Sequence, residues 1–96
     1  MTLIRMTPDT LREQSNTYGV SANQIDEILA TLTRLQGEIG DAWDGTAWDK
    51  FDEQFNDLKP KVESFSELLN DIDKQLKEVA RVVEETDAEI ASKLGF

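Results

Sequence analysis

The chain has no cysteine and no histidine among its 96 residues, only two prolines and one tyrosine, and half as many basic as acidic side chains, 10 against 20. Without cysteine no disulfide supports the fold. Without histidine the usual near-neutral proton shuttle and the commonest transition-metal ligand are missing. The net charge of −10 repels phosphate backbones and anionic lipid headgroups, which argues against nucleic acid as a partner. No apolar run approaches the roughly 20 residues needed to cross a bilayer. Met1-Thr2-Leu3-Ile4-Arg5-Met6 lacks the apolar stretch and small-residue cleavage site of a signal peptide, so composition alone points to the cytoplasm.

What is present is the material of long amphipathic helices. Apolar residues make up 39% of the chain and charged residues 31%, a balance that favours an ordinary all-helical domain over disorder. A chain of this length forms one domain, residues 1–96, near the lower limit for a core without staples. Thr7-Pro8-Asp9 is a helix start: Thr7 caps, Pro8 suits the first helical position, and Asp9 faces the positive end of the dipole. From there Leu11, Tyr18, Ala22, Ile25, Leu29 and Leu32 fall on one face, with Ile28 and Leu35 on an adjacent row, giving helix one over about 8–40.

Gly40 and Gly45 bracket a short segment suited to a helix C-cap and a positive-φ turn, placed at about 41–45. Thr46 caps the next helix, with Asp49 three residues on in a capping-box arrangement. Helix two then covers about 46–92. Between Trp48 and Ile90 its apolar residues, among them Phe55, Leu58, Val62, Phe65 and Leu69, alternate at threes and fours in an unbroken coiled-coil seam. Pro60 falls inside it and bends the rod without changing the heptad phase.

At 1.5 Å per residue the two helices are roughly 50 and 70 Å long. An antiparallel hairpin therefore brings the start of helix one level with about Glu78 and leaves a tail, about 79–96, without an intramolecular neighbour. The apolar stripe nevertheless continues through it. Two helices alone bury little, so a second hairpin completing an elongated four-helix bundle is the economical way to cover both the stripe and the tail.

No constellation for chemistry emerges. Neighbouring acids such as Asp71 and Asp73, or Asp87 and Glu89, splay apart on a helix, and Asp49, Asp52 and Glu53 lack the alternation and glycine of a calcium loop. A narrow hairpin offers no water-shielded pocket for a nucleophile, and no glycine run cradles a phosphate. The chain reads as a non-enzyme with no metal and no cofactor. Phe51 and Phe55 read as a plug closing the corner, while Trp43, in the turn, either folds back or stays exposed.

Trp43-Asp44-Gly45, centred between two long helices in a chain of this length, resembles the signature of the WXG family, the Esx-type small substrates of type VII secretion. Ile4-Arg5-Met6-Thr7-Pro8, Leu35-Gln36-Gly37-Glu38-Ile39, Phe51-Asp52-Glu53-Gln54-Phe55 and Pro60-Lys61-Val62-Glu63 extend the likeness to the EsxA type of Gram-positive bacteria, over essentially the whole chain. The resemblance implies an all-α helix-turn-helix hairpin, a homodimeric four-helix bundle, and secretion without a cleaved signal peptide. It also implies a C-terminal export signal, often Tyr followed four positions later by Asp or Glu. Here the Tyr is absent, and Val83-Glu84-Glu85-Thr86-Asp87 fits a looser version with a hydrophobic residue in its place.

Val83, Asp87, Ile90 and Leu94 are thus the candidate signal residues, beside Trp43 and Gly45 of the turn motif. The partner implied is the FtsK/SpoIIIE-type secretion ATPase, with a related Esx protein as an alternative to self-association. The expected function is that of a secreted substrate, virulence-associated or adaptor in role. Two rivals stand beside it: a membrane-active protein that inserts its apolar face, and a cytosolic coiled-coil adaptor that is never exported.

Overall fold

A computed structural model describes residues 6–43 and 45–95. Ile4 and Arg5 of the N-terminal motif and Asp44 of the turn lie outside them. Two helices, α1 (Pro8–Ala42) and α2 (Thr46–Lys93), form an antiparallel hairpin measuring 75 × 21 × 17 Å. Its long dimension is that of α2, whose 48 residues rise about 72 Å.

The start of α1 is built as expected: the Thr7 hydroxyl accepts from the Thr10 amide at 3.2 Å, Pro8 opens the helix, and Asp9 sits in the first turn. Its end differs. Gly40 is not a cap but a helical residue, and α1 continues two residues further, to Ala42. There Trp43 turns extended (φ −123°, ψ 133°) while its amide still donates to the Ile39 carbonyl. The glycine at position 40 is required for a different reason, the close approach of Trp48. Gly45 holds a conformation that other residues rarely adopt (φ +137°), and it, rather than Thr46, precedes the first turn of α2. Its carbonyl accepts from Asp49 N at 3.1 Å, and no side chain caps the helix. Thr46 is therefore the first helical residue. The helix passes through Pro60 without interruption.

The register between the helices follows from three pairs. Trp48 lies on Gly40, Gln36 Nε2 donates to Asp52 Oδ1 at 3.4 Å, and Ser66 Oγ donates to the Ala22 carbonyl at 3.1 Å. The members of each pair are equidistant in sequence from the turn, which puts Pro8 level with Ala80. Arg12 and Glu84 meet further out because helical side chains lean toward their own N-termini, so in an antiparallel pair long side chains converge across the offset.

The seam itself is not the apolar stripe expected from the heptads. The residues it buries are small or polar: Ser15, Ala22, Ser66 and Ala80, with Leu29 the largest. Ser15, Ala22 and Leu29 on α1, and Ser66, Asp73 and Ala80 on α2, repeat every seven residues, one row away from the large side chains. Small residues let the backbones approach, as the direct bond from Ser66 to a main-chain carbonyl requires. Several large apolar side chains, among them Ile28, Leu32, Leu58 and Phe65, are thereby left exposed along one side, while Ile25, Phe55 and Val62 are half-buried beside them.

Candidate functional site

Three surfaces carry the features that a binding protein needs. The first is the displaced apolar stripe. Ile25, Ile28 and Leu32 of α1 and Phe55, Leu58, Val62 and Phe65 of α2 line an open groove of about 420 Å³, edged by Lys59 and Lys61. Ile28, Leu58 and Phe65 are each more than half exposed. The groove continues toward the open end of the hairpin past Tyr18 and Leu69. Monomeric proteins rarely leave so long an apolar strip to water, and such strips mark association surfaces. Sequence periodicity found these residues, but not that smaller ones would occupy the seam between the two helices. The signal for the seam is the second heptad row of small residues, which hydropathy does not register.

The second surface is the corner. Trp48, half-buried, closes it, with the Phe51 ring tilted against the indole at a centroid distance of 5.7 Å. Phe51, expected as a plug, is itself exposed, because it lies on the outward row with Leu58 and Phe65. Trp43 does not fold back: it is 68% exposed. The extended backbone at this position directs the side chain away from the helix pair, and Gly45 then reverses the chain. The two turn-motif residues thus differ in structure: Gly45 takes a positive-φ conformation at the chain reversal, and Trp43 leaves its indole exposed.

The third surface is the far end of α2. Ala80 is fully buried, so the free tail begins later than Val79. The first turn beyond Ala80 is tied to α1 by a two-pronged ion pair, Arg12 Nη1 to Glu84 Oε1 at 2.5 Å and Nη2 to Oε2 at 2.7 Å, with Asp9 Oδ1 3.0 Å from the same guanidinium. Past Glu84 every described residue is exposed except the half-buried Ala91. Val83 is half-buried, Asp87 exposed, and Ile90 and Leu94 are 51% and 65% exposed. Their spacing of four, three and four places them on one face of the helix.

Local ion pairs accompany the helix here in place of tertiary packing. Arg81 bridges Glu78 at 2.5 Å and Glu85 at 2.7 Å, and Lys93 lies 3.5 Å from Glu89. The hydrogen bond from Arg12 holds the Glu84 carboxyl below its usual range against the opposing effect of burial, and Arg81 does the same for Glu78. In the seam, Asp73 is also held low, chiefly by Lys77 at 2.9 Å, with burial opposing and the Ser15 hydroxyl assisting. These are structural carboxylates paired with cations. Among the described residues no group of three or more metal-ligating side chains comes together, and no helix is long and apolar enough to cross a membrane.

Comparison with known proteins gives a consistent picture. The family model described as proteins of 100 residues with WXG matches residues 3–88. The type VII secretion system extracellular protein A of Staphylococcus aureus strain USA300 is 44% identical over 96 residues, covering 100% of this chain and 99% of its own length; that of strain Newman matches equally. Among solved structures, the crystal form I of Geobacillus thermodenitrificans EsxA superposes with a TM-score of 0.83 at 32% identity, over 92% of this chain and 98% of that one.

Proposed function

The chain belongs to the WXG100 family, and from that premise we propose that it is a substrate secreted by a type VII system, working as a homodimer gripped through its C-terminal helix by the FtsK/SpoIIIE-type ATPase. One observation carries this reading: the similarity to a protein named for its extracellular location runs through all 96 residues, tail included. The surfaces supply a mode of action. The outward apolar groove takes a second copy, closing a four-helix bundle, while the end of α2 from Val83 onward stays outside it and offers Val83, Asp87, Ile90 and Leu94 to a groove on the ATPase. Trp43 forms a secondary part of the docking surface. The role after export is that of a virulence-associated effector or an adaptor of the export apparatus, exerted by helical surfaces and not by catalysis.

The test compares culture supernatant with cell lysate in strains with and without the secretion ATPase. The protein should reach the supernatant only when the ATPase is present. Equal amounts outside both strains, without lysis, would end the proposal. A second reading, insertion of the apolar face into a lipid bilayer, is favoured by the exposure of Ile28, Leu58 and Phe65 and opposed by the net charge of −10. Dye release from neutral and acidic vesicles separates the two.

A further inference from the structure

We propose that the Arg12–Glu84 ion pair is a latch by which the first turns of α1 control how much of the tail is presented for export. The proposal rests on the reading of the tail as the export signal. Register places Pro8 level with Ala80, so α1 ends where the candidate signal begins. Beyond that level, the polar tie between the helices among the described residues is Arg12 with Glu84. Glu84 immediately follows Val83, the first candidate signal residue and the one that is half-buried. While the latch is closed, Val83 is held toward α1 and the accessible signal is short, consisting of Asp87, Ile90 and Leu94. When it opens, the helix end swings free and Val83 becomes accessible along with the other three residues of its face.

The latch is built to be weak enough to work. Both partners are partly exposed, with side-chain accessibilities of 34% and 47%. A partly exposed ion pair typically biases a local equilibrium by up to about fivefold. Asp9 shares the guanidinium and offers it an alternative carboxylate on its own helix, which lowers the cost of release. Glu84 falls in the heptad row of Glu63, Asn70 and Lys77, away from Leu58, Phe65 and Val79, so a second copy seated on the apolar groove leaves the latch uncovered. A docking ATPase that supplies its own cation to Glu84 would displace Arg12 directly.

Arg12→Gln tests this without altering a tail residue, and Arg34→Gln serves as a control of equal charge. In the purified full chain, hydrogen exchange of the amides of residues 82–90 should quicken by up to about fivefold in Arg12→Gln and not in Arg34→Gln, with the exchanged pair Arg12→Glu/Glu84→Arg restoring it. In cells carrying the ATPase, Arg12→Gln should be exported faster than Arg34→Gln. If exchange or export is the same for these two variants while Val83→Asp/Asp87→Ala is retained, the latch is wrong and the tail reading stands. If Val83→Asp/Asp87→Ala is itself exported, the tail reading fails and the latch has no signal to control.

Discussion

Trp48 lies across Gly40 so closely that a β-carbon on that glycine would stand 3.1 Å from the indole Nε1 and 3.2 Å from Cζ2. The contact joins the last turn of α1 to the first turn of α2, and it explains a glycine in a helix where alanine is intrinsically better. Gly40→Ala gains about 1 kcal/mol of helix propensity but pushes a ring already backed by Phe51, a strain of about 1–3 kcal/mol. The expected result is a net loss of about 1 kcal/mol, read from denaturant midpoints at fixed protein concentration. Gly37→Ala, with open space around it, should instead stabilise by about 0.5–1 kcal/mol. A gain at both positions would mean that Trp48 does not seat on Gly40.

Gly19→Ala should be worse than Gly40→Ala. Its β-carbon would fall 2.7 Å from Asp73 Oδ2, and that carboxylate is held in place by Lys77. The two helices must part or Asp73 must leave its partner. Paired with Asp73→Ala, the glycine substitution should become much less harmful, a coupling that a double-mutant cycle measures.

Phe65→Asp puts a charge into the centre of the apolar groove and should raise the dimer dissociation constant by at least about 30-fold, the loss of one central anchor worth about 2 kcal/mol. Ser64→Asp, one residue away but exposed and outside the groove lining, should leave it within a few-fold. Sedimentation velocity across a concentration series reads both. A fully helical wild-type monomer at micromolar concentration would remove the basis of the prediction.

Acid should loosen the hairpin through Asp73 and Glu84. Both carboxyls titrate below their ordinary values in the folded chain, so each contributes stability that is present above the unfolded pKa, near 4, and is lost as pH falls through the lower folded value. Unpaired acids act in the opposite direction, since protonating them relieves the repulsion of a chain at −10. The comparison is therefore between wild type and Asp73→Asn. The variant should be less stable at pH 7, and the gap should close below about pH 4. A gap independent of pH would show that the Asp73 charge does not matter.

Val83→Asp with Asp87→Ala should abolish export while circular dichroism and sedimentation stay unchanged, because the substituted face lies at and beyond the end of α1 and not in the seam. Persistent export would place the signal elsewhere.

Both helices, the Thr7 cap, the chain reversal at Gly45 and the unequal lengths were legible in the sequence because each depends on local spacing or on a residue with a narrow conformational role. The partner of each helical face was not. Leu58, Val62 and Phe65 show the same period whether they pack on α1 or on another chain, and hydropathy ranks them above Ser15, Ala22 and Ser66, which are the residues buried in the seam. The exposure of Ile90 and Leu94 followed from length alone. The delay of the free tail past Ala80 did not, since it depends on α1 running directly from Pro8 with its backbone level with that alanine, and on the reach of one arginine.

The displaced apolar stripe also determines where the heat of melting resides. A seam whose buried residues are Ser15, Ala22, Ser66 and Ala80, with Leu29 the one large side chain, hydrates little new apolar surface when the two helices part. In the homodimer we propose, the outward rows, from Ile28 to Phe65, expose far more when the two copies separate. In calorimetry, part of the heat-capacity increment should therefore track dissociation of the pair and depend on protein concentration.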